Sequence, residues 1–348
     1  MYRSKSIFGD GRDGSIAYSV ANSRWEDGNG NALSNGTKWT GVSTTTLVIL
    51  KECLFQNVTI PSGATLQLGA DGGYGLAMLH ISGTLTLNGS ITAGTYGVIG
   101  SASAPNGGAA KSTAGVGNAA AIVLSYLKHG MHGAGGGGVG DGTNAGGSRS
   151  VIAGIATQAS IANSLTTQGS SASAGTTAAG VDGLVPTEMS SIVTQFDSPW
   201  MFLGSACGIG GSGGALKQAG GSNKGGAGGT GGAGKLPIRI RVNRLITAAS
   251  AVINNAGGNG TAGEDGVASN ASGDISGGGG GGGGGAGGAI GIEYDTWTDS
   301  GATISAAGGT GAAGGLGKEY NNVNRATSNG GAGAKGTDGI IVTQKYTG

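Results

Sequence analysis

Large side chains and charges are scarce in this chain: aromatic residues make up 5% and charged residues 11%. The formal net charge is +1, so no strong field steers it toward nucleic acid or anionic lipid. Only five prolines occur and no Gly-X-Y period runs through the chain, which excludes collagen. Two cysteines, Cys53 and Cys207, stand far apart in unrelated contexts, too few for a disulfide scaffold. Two free thiols are the expectation, with one long-range bridge left open. No window approaches the eighteen apolar residues of a membrane-spanning helix. The opening Met1–Asp10 stretch lacks the apolar centre of a secretory signal, so synthesis and assembly in a cytoplasm are expected.

What the chain has is glycine, 82 residues of 348 against a usual ~7%. Fixing each one costs roughly 0.5–1 kcal/mol more than fixing alanine, on the order of 40–80 kcal/mol for all of them. Either the glycine tracts stay disordered, or a dense backbone hydrogen-bond network orders them.

An internal repeat separates these options. Alternating apolar runs at 76–87, 238–245 and 290–297 are each followed by a similar tail, at 88–94, 249–258 and 300–309. In Ile238/Ile240/Val242 against Arg239/Arg241/Asn243 the period is two, the mark of a strand with one buried face. Further rungs are expected at 46–50, 57–60 and 64–68, with a closing strand at 339–346. The fold class that follows is mainly β, a solenoid-like stack of short strands with inserted polyglycine-II helices packed in a bundle and little α-helix. Four regions are expected: an N-terminal attachment or capping segment (1–45), β-rungs (46–100), a glycine-rich insertion with loop islands (101–235), and rungs with polyglycine excursions (236–348). A short helix is expected over 186–196.

The longest excursion, nine consecutive glycines at 277–285, leads straight into a strand. A flexible linker needs no such anchor. In the polyproline-II conformation a chain rises about 3.1 Å per residue with no internal hydrogen bonds, so nine glycines would span roughly 28 Å and pair with neighbouring chains.

Catalytic patterns are weak. Of three histidines, His80 lies in an alternating strand and reads as a surface or rung residue. His129 and His132 stand three apart with no third ligand spaced nearby, so no metal and no cofactor is assigned. The carboxylate clusters Glu26/Asp27, Glu264/Asp265 and Glu293/Asp295 could suggest a glycan-cleaving pair. Glu293 and Asp295 read instead as the solvated face of a strand, and Glu264/Asp265 as part of a glycine-rich turn. Asp27-Gly-Asn-Gly-Asn31 has the first half of a calcium loop without its completion, and reads as a turn. No catalytic residue is assigned.

Binding residues favour loops on a rigid frame, and large side chains dominate contact energy. The candidate contacts are therefore the islands: Tyr126, His129 and His132; Trp200 and Phe202, which could equally pack a local core; and Tyr320, Asn321, Asn322 and Arg325 within 318–329.

Three features together resemble the glycine-rich receptor-binding proteins of tailed bacteriophages. They are the Ile7–Gly14 opening, the first rungs Thr44–Val48 and Asn57–Leu66, and the later Gly-Gly-Ala-Ile-x-Ile…Ala-Thr-Ile-Ser-Ala-Ala-Gly-Gly units. The resemblance covers most of the chain and implies a tail-fibre or tail-tip adhesin, located in the virion, whose loops touch a host outer-membrane protein or glycan. Implied partners are that receptor and other phage tail or virion proteins, with a homotrimer or a monomeric tip, and neither nucleic acid nor membrane insertion. The alternatives are a purely structural fibre or capsid-surface decoration protein and a glycan-cleaving tailspike.

Overall fold

The computed structural model describes residues 8–71, 78–95, 215–216, 226–229, 231–268, 275–285, 287–326, 329–333, 335–336, 338–339 and 341–346. The described residues are mainly β with almost no helix. The 186–196 helix expectation and Cys207 lie outside the described residues.

Two open sheets carry the core. The first contains β1 (Ile16–Ser19), β2 (Arg24–Asp27), β5 (Cys53–Phe55), β6 (Val58–Ile60), β8 (Met78–Leu87), β11 (Ile238–Thr247), β14 (Ile290–Asp299) and β18 (Ile341–Lys345). The second contains β3 (Trp39–Thr40), β4 (Thr46–Ile49), β7 (Thr65–Leu68), β9 (Ser90–Ala93), β12 (Val252–Asn254) and β15 (Thr303–Ser305). From β8 onward the rungs alternate between the two sheets, and the repeated segments stack parallel and in register. Ile240 sits between Leu79 and Ile292, Leu245 between Leu85 and Trp297, and Ile253 between Ile91 and Ile304. The period-two pattern puts Ile238, Ile240 and Val242 in the core and leaves Arg239 and Arg241 on the outer face. Each fully buried Leu or Ile contributes about 1.5–3 kcal/mol over an exposed one.

The N-terminal end of the stack is closed. Antiparallel pairing of β1 with β2 and of β3 with β4 turns the chain back, and residues 31–42 cover β2 through Asp27 N–H to Asn31 O, Leu33 N–H to Trp25 O and Trp25 N–H to Val42 O. The 27–31 loop is a turn: Asp27 Oδ1 accepts the N–H of Asn29 and of Asn31, both at 2.9 Å.

One outer-face expectation needs correction, and a second, left open between two readings, is decided. Glu293 is buried, not solvated, because its carboxylate receives the guanidinium of Arg241, its in-register neighbour one repeat earlier. His80 is a rung residue but a buried one, with Nε2 2.9 Å from Glu52 Oε1. The N-terminal residues run over this patch: a side chain on Gly9 would strike Leu54 and His80, and Phe8 stacks edge-on against Tyr346 at 5.7 Å.

Beside the sheets lie five glycine-rich segments, within 226–234, 255–267, 277–288, 306–317 and 329–339. Among their described residues none is helix or strand apart from an isolated bridge at Val267, yet all are cross-linked backbone to backbone at every third residue. Gly226, Gly229 and Gly232 of the first segment donate N–H to the carbonyls of Gly277, Gly280 and Gly283 in the third. In the third, Gly279, Gly282, Gly285 and Gly288 donate to Glu264, Thr261, Gly258 and Asn255 of the second. The second donates to the fourth from Gly257, Gly260, Gly263 and Gly266. The fourth and fifth join likewise through Gly330, Gly333, Gly336 and Gly339. The first, third and fifth segments therefore run one way and the second and fourth the other. Short Gly-x-y triplets do exist here, although no such period runs through the whole chain.

Surrounded by the other four, the third segment is buried at 277–285. A Cβ on Gly284 would overlap the carbonyl oxygen of Gly309, and one on Gly281 that of Ala312. In the second and fourth segments the non-glycine positions Thr261, Glu264, Asp265, Thr310, Ala313 and Leu316 point outward and are exposed. Glu264 and Asp265 thus lie along a segment rather than in a turn. Outward-facing amides of the fourth segment are capped by side chains of its neighbours: Thr310 N–H by Asn259 (2.9 Å), Leu316 N–H by Asp265 (2.7 Å), Gly308 N–H by Asp338 (2.7 Å) and Gly317 N–H by Asn329 (2.9 Å). At the sheet junction, buried Asn255 Nδ2 donates to Leu236 O (2.7 Å) and Ala289 O (3.1 Å), tying the first and third segments to their strands.

Two outcomes follow. Gly284→Ala will lower unfolding free energy by about 3 kcal/mol, since overpacking and a broken buried hydrogen bond add, while Thr310→Ala will stay within about 0.5 kcal/mol; chemical denaturation of both variants checks this. Burial, reinforced by the Asp13 charge, pushes the Cys53 thiol up to about 12. At pH 8, Cys53 will therefore resist iodoacetamide in the native chain and react in denaturant, as read by peptide mass mapping.

Candidate binding surface at the far end of the glycine segments

The alternating directions of the five segments fix where their connections fall. The second and fourth leave β12 and β15 and run away from the sheets; the third and fifth return to β14 and β18. The connections after 267 and after 317 therefore gather at the far end. There a small antiparallel sheet joins them, ordered β10 (Ala215–Leu216), β13 (Ile275–Ser276), β16 (Lys318–Glu319) and β17 (Val323–Asn324).

The tight hairpin between β16 and β17 turns at the three residues Tyr320–Asn322. Asn321 (φ 62°) and Asn322 (φ 59°) both occupy the left-handed region, which asparagine tolerates better than other residues with a Cβ. Asn322 Oδ1 also accepts the N–H of Ala268 at 3.0 Å, so the turn is pinned to the end of the second segment. The charges here are engaged internally. Lys318 reaches Asp265 at 3.4 Å and the amide of Asn324, and Arg325 Nη1 lies 3.5 Å from Glu319 Oε2.

The uncharged side chains are left outward. Val267 is 43% exposed, Leu316 36%, Tyr320 44% and Val323 54%; among the described residues only Val20 and Ile341 are other large apolar side chains so exposed. Four of these six thus share one end of the molecule. Because Gly266 N–H donates to Leu316 O, Val267 and Leu316 terminate adjacent segments.

Of the residues proposed from sequence, Tyr320, Asn321 and Asn322 stand exposed at this end, and Arg325 is half-buried beside Glu319. Tyr126, His129, His132, Trp200 and Phe202 lie outside the described residues. Val267 and Leu316 fall outside the clusters of large side chains that the sequence offers, and Val323 is a small member of the 318–329 island. The signal for the first two is a lone bulky residue at the last triplet of a glycine segment, where the lattice stops demanding glycine.

Four of the six acids that could suggest hydrolysis have structural partners: Glu26 with Arg24 and Asn22, Asp27 with its own turn, Asp265 with Leu316 N–H and Lys318, and Glu293 with Arg241. Among the described residues, no three His, Cys, Asp or Glu side chains group as metal ligands. Comparison with protein-family models, with curated proteins and with solved structures finds no match.

The paired left-handed asparagines set a test of the turn. Asn321→Gly will be neutral to within about 0.5 kcal/mol, whereas Asn321→Val will cost about 1–2 kcal/mol because a β-branched side chain crowds that conformation. Equilibrium denaturation with hydrogen exchange over 318–325 separates the two outcomes.

Proposed function

We propose that this chain is a non-enzymatic receptor-binding protein of the tailed-bacteriophage adhesin type, its rungs a β-solenoid frame and its glycine segments a polyglycine-II bundle. The three-residue hydrogen-bond step supports the bundle, since polyproline-II turns once in three residues and leaves every amide free for a neighbour. At about 3.1 Å per residue, the twelve positions 306–317 would hold the connecting loops roughly 37 Å from the sheets. Charged residues on the described outward face are few and mostly paired, so contact there is apolar and amide-rich.

The observation that carries the reading is the gathering of Val267, Leu316, Tyr320 and Val323 at the end farthest from the sheets. Soluble proteins rarely group exposed apolar side chains without a binding use. Loops mounted on a rigid scaffold are where binding residues concentrate. The ligand in this reading is a component of a bacterial cell surface, and the sheets face the rest of the virion.

Labelled protein incubated with a panel of bacterial cells provides the test. Tyr320→Ala with Val323→Ser will reduce retention on susceptible cells tenfold or more, equivalent to about 1.4 kcal/mol of binding. The thermal midpoint of the variant will stay that of the parent. Equal retention by variant and parent would leave the framework role alone standing.

A further inference from the structure

In the small sheet at the far end, β16 lies between β13 and β17. Ser276, Lys318 and Asn324 stand in register across these three strands, so their side chains share one face. That face lies against the end of the second glycine segment, where a Cβ on Gly266 would strike Ser276 Oγ. Ser276 is fully buried there, and the Lys318 side chain is only 16% exposed. Because Arg325 N–H donates to Gly317 O, Lys318 and Asn324 form a non-hydrogen-bonded pair, the closer of the two antiparallel kinds. Lys318 Nζ donates to Asn324 Oδ1 at 2.5 Å. Asp265 completes the group: its Oδ1 accepts Leu316 N–H at 2.7 Å, and its Oδ2 lies 3.4 Å from the same Nζ.

We propose that Lys318 and Asn324 join in an intramolecular amide, with Asp265 relaying the protons. A lysine nitrogen touching both a side-chain amide and a carboxylate has every reactant this bond requires. Nζ first passes one proton to Asp265 Oδ2, which frees its lone pair. It then attacks Cγ of Asn324, forming the N–C bond as the carbonyl electrons move onto Oδ1. When those electrons return, the C–Nδ2 bond breaks. Asp265 hands the leaving nitrogen both protons that Nζ gives up, and it departs as ammonium. One ammonium and one primary amide thus become one secondary amide and NH4+, with no oxidation and no further reactant.

A carbonyl bond is about 1.23 Å long, so a nitrogen 2.5 Å from Oδ1 stands roughly 3–3.5 Å from Cγ, the separation of a near-attack pair. The flexible lysine stem need only lift Nζ from the edge of the amide onto its face. Lys318 is held by pairing on both sides of β16 and Asp265 by its bond to Leu316 N–H, so folding has already brought the reactants together. Other lysines have different neighbours: Lys38 and Lys335 meet the carboxylates of Asp13 and Asp338, and Lys235 the carbonyl of Ala93. The new bond closes the hairpin into a ring that carries Tyr320, Asn321 and Asn322. Strands of two residues each hold such a turn weakly by pairing alone, and a covalent tie fixes it.

The inference is independent of what the far end binds, because it is read from covalent mass without any ligand. Mass spectrometry of the intact, denatured full chain provides the test. The expected mass is one ammonia below that of the sequence. Cleavage after Glu319 will leave the peptides bearing Lys318 and Asn324 joined. Lys318→Arg and Asp265→Asn will both show the full mass of their own sequences. The second of these keeps an oxygen for Leu316 N–H but relays no proton. A parent chain at full sequence mass, with the two peptides separable, overturns the inference. An ammonia loss that persists in Lys318→Arg also overturns it, by placing the loss in an asparagine that closes on its own backbone, as the Asn329-Gly330 sequence could. A joined peptide in Asp265→Asn overturns the relay.

Discussion

The structure depends on one close approach: backbones packed so tightly that the carbonyl of one segment occupies the space where a neighbour's Cβ would be. Gly284 against Gly309 and Gly281 against Ala312 leave no alternative to glycine. The energy involved is finely balanced. A buried backbone hydrogen bond contributes about 0.5–1.5 kcal/mol net, and each ordered glycine costs about 0.5–1 kcal/mol more than alanine. With one bond between segments for roughly every residue enclosed, the segments hold only if something else fixes their ends and register.

The sheets do this. Parallel pairing of β11 with β14 offsets Ile238 from Ile290, and the same rung spacing brings Gly226 opposite Gly277 and Gly281 opposite Gly331. A shift in the strands would displace the glycine lattice by the same amount. Asn255, buried at the junction with its amide on Leu236 and Ala289, locks both together. The hydrophobic effect, confined to the two sheets, thus supplies the register for a region with hardly any side chains to bury.

Much of this was legible in the sequence, for a definite reason: period-two alternation and the repeated tails report directly on which residues face the core, and Ile240, Leu245 and Ile253 stack where the repeat places them. Alternation cannot say whether the other face is wet, so Glu293 was read as solvated and His80 left between surface and rung, when Arg241, Glu52 and the N-terminal residues enclose them. The local triplets Gly257/Gly260/Gly263/Gly266 and Gly330/Gly333/Gly336/Gly339 were visible but too short for a collagen-length period. At the far end, Tyr320 and its asparagines stood out by size and type, whereas Val267 and Leu316 gain meaning only once the segment directions are known.

The same lattice explains why function would collect at the far end. Along the segments most inward positions are glycine, and several outward donors of the fourth segment are capped by asparagine or aspartate. A side chain introduced at an inward glycine clashes with a neighbouring carbonyl. At the connections the lattice ends, the requirement for glycine lifts, and Val267, Leu316, Tyr320 and Val323 can be accommodated at no cost to packing. Sequence change is therefore least constrained at the end farthest from the sheets, and a framework of this kind can present new loops without altering the contacts that hold it upright.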